Sequence, residues 1–144
     1  MKTPDQNPPD IDARYRTLLI LWFAICMSVL IFLGLTFLSV VAPAENRKLT
    51  LALNSLGVVP VALSFLLKQR ALAKSVETQR LDLVQSGYVL AFALCESSAL
   101  LGLLDHFTTG SGYRYFAFAI AGLGLVLHFP QRANLVNASS YSQL

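Results

Sequence analysis

"TLLILWFAICMSVLIFLGLTFLSVV", Thr17 to Val41, decides the fold of this chain. About 25 residues pass without a charge, and a helix of that length crosses a hydrocarbon core of about 30 Å with some tilt. The composition agrees: of 144 residues, 55% are hydrophobic and 13% charged, far from the balance of a soluble domain.

Three further apolar segments follow, so the spans fall at 17–41, 50–67, 84–104 and 113–130. Lipid offers no partner to backbone N–H and C=O groups. Four segments, apolar on all faces, are too few and too uniform for a closed barrel. The expected fold is therefore all-α: an integral membrane four-helix bundle with antiparallel up-down connections over residues 14–132. Residues 1–13 and 133–144, rich in Pro, Asn and Ser, read as flexible cytoplasmic tails. Pro60 removes a backbone donor and predicts a kink in the second span, with Asn54 or Ser55 at hand for the freed carbonyl of Leu56. The connection "KQRALAKSVETQRLDL", 68–83, has no Gly or Pro and many helix formers, so the flanking helices are expected to extend into it.

Orientation follows from the Lys and Arg count. Lys2, Arg14, Arg16, Lys68, Arg70, Lys74, Arg80 and Arg132 fall on one face of a four-span protein, against Arg47, Lys48 and Arg114 on the other. Both termini are thus expected on the cytoplasmic side of the cell inner (plasma) membrane. Trp22, Tyr15, Tyr88, Tyr113 and Tyr115 lie toward span ends and suit interfacial anchoring. "VAPA", ending at Ala44, imitates a signal cleavage site, but the preceding apolar run is nearly twice the usual signal core and follows three aspartates; retention of the first span is expected. The "NAS" sequon at Asn137 has no meaning in a cytoplasmic tail.

Several functions are excluded by what the sequence lacks. A net charge of +3, scattered over short segments, gives no footprint for nucleic acid. Cys26 and Cys95 both sit in apolar runs and read as small buried thiols, not as a disulfide framework or metal ligands. No phosphate loop, metal-ligand spacing or nucleophile-base pattern appears, so no catalysis, metal or cofactor is expected.

The anomaly is Glu96, in "YVLAFALCESSALLGLLDHF", residues 88 to 107. An ionised carboxylate inside a bilayer costs several kcal/mol, so the group is expected to hold a proton or to bind a cation. Apart from Arg114 at the flank of the fourth, no Lys or Arg lies within a span to pair with it. Asn54, Ser64 and Ser98 are the candidate supporting polar groups. Gly87, Ala91, Cys95, Ser98 and Gly102 recur at steps of four, four, three and four, which lines one face of the third helix with small side chains and lets another helix approach. Ala117, Ala121 and Gly124 form a matching set on the fourth. Asp105, His106 and His128, near span ends, read as interfacial polar residues.

"AFALCESSALLGLL", with Ala93, Glu96, Gly102 and Leu103 in an apolar helix preceded by a basic loop, resembles the carboxylate-bearing helix of the c subunits, or proteolipids, of rotary ATP synthases. The resemblance implies Glu96 as the ion-carrying carboxylate, with a bound H+ or Na+ and with other membrane subunits or further copies of the chain as partners within the lipid bilayer. The segment before the loop differs from that family, holding Gly57 and Pro60 where the family repeats glycine at alternate positions. Two readings stand: an ion-binding membrane protein, or a non-transporting scaffold or assembly factor of a larger complex with Glu96 as a hydrogen-bonded structural acid.

Overall fold

The computed structural model describes residues 11–41, 46–110 and 112–139, with the side chain of Arg114 left aside. Residues 1–10 of the expected N-terminal tail, the imitation cleavage site at Ala44 and the last residues, 140–144, lie outside the described residues. Helices form in the order α1 (Ile11–Leu38), α2 (Arg47–Thr78), α3 (Leu81–Thr109), α4 (Arg114–Leu127) and α5 (Arg132–Asn137), with no strand among the described residues. Three of them, α1, α2 and α3, are long and apolar enough to cross a membrane, and α4 is a shorter apolar helix. By length and composition this is a multi-pass membrane protein.

The 14 residues of α4 span only about 21 Å, short of a hydrocarbon core of about 30 Å. The expected fourth span is cut short at its C-terminal end. Tyr113 precedes the helix as its N-cap, while His128 ends it and Pro130 cannot continue it. The chain then forms α5, with Leu135, Ala138 and Ser139 buried, so the segment expected as a tail from 133 onward packs on the bundle as far as Ser139.

The closest packing joins α2 and α3. Asn54 meets Asp105, Ser64 meets Cys95, and a Cβ on Gly57 or Gly87 would lie 3.5 Å from Ser98 Oγ or 2.8 Å from Ala71 Cβ. Residue numbers thus fall along α2 as they rise along α3. The turn between them is tight: Gln79 takes a left-handed φ of 51°, and its N–H and that of Arg80 both bond Ser75 O, satisfying a carbonyl at the end of α2. Helix α2 runs through the 68–83 connection to Thr78, as its helix-forming composition predicts, and stays helical across Pro60.

The core is built from the α3 stripe. Gly87, Ala91, Cys95, Ser98 and Gly102 are all buried, and a Cβ on Gly124 of α4 would sit 2.8 Å from Cys95 Sγ. Only glycine admits that approach. By contrast α1 buries just Leu18, Val29 and Thr36 and exposes Ile20, Phe23, Leu30, Ile31 and Phe37. Lipid, in which apolar side chains carry no cost, is the solvent that suits such a helix.

Polar ties fix α1 all the same. Trp22 Nε1 donates to Leu125 O at 2.9 Å, filling a carbonyl in the unpaired last turn of α4. Its ring meets Phe129 edge-on at 5.1 Å. At the start of the helix, Arg14 reaches Gln85 Oε1 at 3.4 Å and Asp12 pairs with Arg132 at 2.9 Å. Trp22, an expected interfacial anchor, is therefore also an interhelical bond.

Candidate functional site

Glu96 faces α1 and is half-buried. Ser28 Oγ donates to its Oε1 at 2.5 Å, a short bond of the kind charge-assisted or strongly polar O–H···O pairs make. The ion pairs found among the described residues, Arg80–Asp82 and Arg132–Asp12, are elsewhere and exposed.

The supporting residues expected for Glu96 are committed elsewhere. Asn54 Nδ2 donates to Thr50 O at 2.9 Å and to Asp105 Oδ2 at 3.2 Å. It serves neither Glu96 nor the carbonyl freed by Pro60. Ser64 Oγ donates to Val61 O and lies 2.7 Å from His128 Nε2; Ser98 Oγ donates to Ala117 O at 3.4 Å. All three belong to the α2–α3–α4 interface, whereas Glu96 belongs to the α1–α3 seam. The reason is helical phase, since Glu96 lies about 100° around from Cys95 and its small-residue face. Ser28, the actual partner, is on the first span and carries no signal separating it from other serines in membrane helices.

Asp105 and His106 are buried, 1% and 2% exposed, where interfacial polar residues were expected. Asp105 points into α2–α3. Its Oδ2 meets Asn54 and its Oδ1 lies 2.8 Å from Thr109 Oγ1. His106 turns toward α1, with Nε2 2.8 Å from Ser39 Oγ and Nδ1 buried without a hydrogen-bond partner among the described residues. Ser39 also bonds Leu35 O at 2.6 Å, and a hydroxyl has one proton, so Nε2 carries the imidazole hydrogen in this pair.

A third polar group joins α2, α3 and α4 near the start of α3. His128, 1% exposed, lies with Nδ1 3.4 Å from Lys68 Nζ, and its ring is 4.3 Å from that of Phe65. Ser64 gives its proton to Val61 O, so His128 Nε2–H donates to Ser64 and Nδ1 accepts from the Lys68 ammonium. The same ammonium sits 4.4 Å above the Tyr88 ring, a cation–π contact. Tyr88 is fully buried, and its hydroxyl accepts from Gln131 N at 3.1 Å and Asn134 Nδ2 at 2.7 Å. His128 and Tyr88 are thus hydrogen-bonded core groups in place of the expected interfacial ones.

The extra residues were in phase with the stripes. Continuing the α3 series from Gly102 by three and four gives Asp105 and Thr109, and continuing the α4 set from Gly124 by four gives His128. On α2 the buried Gly57, Val61 and Ser64 lead by four to Lys68. Comparison of the chain with protein families, characterised proteins and solved structures finds no match.

Proposed function

We propose that this chain is an antiparallel up-down membrane protein of the inner membrane that binds a proton or a small cation at Glu96, in the manner of a c-subunit carboxylate and without catalysing a reaction. The observation that carries the reading is the 2.5 Å Ser28–Glu96 bond, which holds an acid at the half-buried edge of the bundle with no basic side chain paired to it among the described residues. An acid so placed stays reachable from the lipid side and can exchange its neutralising ion without unpacking the core. Its partners are the bilayer and neighbouring membrane subunits or further copies, which the apolar outer face of α1 suits.

Carbodiimide labelling of the full chain in membranes tests this, because the reagent attacks protonated carboxyls that it can reach. Labelling at Glu96 that declines as pH rises, and that Glu96→Gln abolishes, is the expected result; protection by NaCl would identify the ion as Na+. No labelling at any pH would end the proposal. The scaffold reading draws on the same bond, since Ser28–Glu96 ties α1 to α3. It requires Glu96→Gln, which can still bond Ser28, to leave assembly unchanged, and it requires no ion response.

A further inference from the structure

Asp105 is a second acid, about 180° around α3 from Glu96 and roughly 13 Å further along it, and nothing in the ion-binding reading of Glu96 uses it. Its carboxyl is 1% exposed, and no Lys or Arg among the described side chains pairs with it. The groups around it are neutral oxygens and one amide: Thr109 Oγ1 at 2.8 Å from Oδ1, Asn54 Nδ2 at 3.2 Å from Oδ2, and the Thr50 carbonyl that the same amide also meets at 2.9 Å. Two details show that the network is incomplete as a purely structural one. Asn54 Oδ1 is buried without a hydrogen-bond partner among the described residues. Thr109 Oγ1 lies within bonding distance of both Asp105 O, at 3.0 Å, and Asp105 Oδ1, yet its hydroxyl has a single proton to give.

A positive charge at the carboxyl resolves the second detail as a proton and both as a cation. A proton on Oδ1 would donate to Thr109 and free the threonine proton for the backbone. A small cation would instead take the carboxylate oxygen together with the lone pairs of Asn54 Oδ1 and Thr109 Oγ1. Asn54 and Thr50 also line an open cleft of about 310 Å³, together with Leu51, Ser55, Val58, Tyr113 and Phe116, so the amide side of the network borders open space. The donor set selects the ion. One carboxylate and neutral oxygens suit a hard monovalent cation, whereas Ca2+ and Mg2+ call for more carboxylate or water oxygens. A transition metal would need His or Cys ligands, and no cluster of three His, Cys, Asp or Glu occurs among the described residues.

We infer that Asp105, Asn54 and Thr109 form a second ion site, separate from Glu96, that exchanges a proton for a Na+-sized cation at the end of the α2–α3 interface. The full chain, purified in detergent, is melted in NaCl, KCl and choline chloride of equal ionic strength at pH 8.5 and pH 5.5. Ligand binding to the folded state alone raises the melting temperature, so NaCl should give a rise of roughly 5 °C at the higher pH and a smaller one at the lower. Asp105→Asn should remove the rise and Glu96→Gln should keep it. If Asp105→Asn cannot be purified, Asn54→Ala decides in its place, with the half-saturating NaCl concentration rising about tenfold when a ligand oxygen is lost. No difference between NaCl and choline chloride overturns the inference, as does a response that either site variant leaves intact. A response lost in Glu96→Gln but retained in Asp105→Asn also overturns it and assigns the ion to Glu96, so the two sites fail separately.

Discussion

Glu96 and Asp105 stand on one helix, nine residues apart, and meet opposite environments. Glu96 lies on the seam with α1, half-buried, with Ser28 as its partner. Asp105 lies on the seam with α2, fully buried, between Asn54 and Thr109. The difference follows from the two neighbours: α2 approaches α3 along small residues and leaves no room for lipid, while α1 turns most of its large side chains outward. An acid at the first seam is an accessible group, and an acid at the second is part of the core.

The strongest way to break that contrast is to delete each carboxyl. Asp105→Ala takes one of two acceptors from the Asn54 amide and from the Thr109 hydroxyl inside the core and should cost about 1–3 kcal/mol, whereas Glu96→Ala frees one half-buried hydroxyl and should cost about 1 kcal/mol or less. Equal losses of melting temperature in detergent would show that the two seams are equally closed. Packing gives the next test. Gly124→Ala forces a Cβ to 2.8 Å from Cys95 Sγ and 3.0 Å from Val61 Cγ1 and should destabilise by about 1–3 kcal/mol, with Cys95→Ala relieving most of it. Gly34→Ala on α1 meets nothing within 4 Å and should stabilise by about 0.5–1 kcal/mol through helix propensity. Opposite signs in these two melts sharpen the comparison, and equal signs remove it.

A finer probe is Ser28→Ala, which takes away the hydroxyl bond to Glu96 and should cost about 1 kcal/mol while raising carbodiimide labelling of the freed acid. The smallest effect belongs to the exposed end of the α2–α3 pair. There the Arg80 guanidinium, bonded to Asp82 at 2.6 Å, holds the Asp82 carboxyl below its ordinary range. A lowered folded-state value stabilises the fold at pH above the ordinary carboxylate range and is lost as pH falls through the lowered value. Comparing wild type with Asp82→Asn should therefore show a difference in melting temperature near neutrality that shrinks toward acid. Both side chains are exposed, so the difference stays at the edge of detection.

Much of the fold was legible in the residues. The uncharged run 17–41 required a helix in lipid because no water-soluble arrangement satisfies it, and the steps of three and four in Gly87, Ala91, Cys95, Ser98 and Gly102 required a face that another helix could approach. Those steps already contained Asp105, and the α4 set already contained His128, but their positions near span ends favoured an interfacial reading over helical phase. The segment from 133 onward was misread for a related cause: its polar composition describes the solvent face of α5 and conceals the few apolar side chains, Leu135 above all, that bury it.

By itself, the sequence determined where the chain is apolar and which residues share a helix face, since both depend on local periodicity and transfer free energy. Tertiary structure alone decided which neighbour each face meets: that Glu96 finds Ser28, that Asn54 turns to Asp105, and that Ser64 serves His128. Those choices depend on how α1, α2 and α4 are set around α3, and that setting is fixed by interhelical packing between residues far apart in the chain.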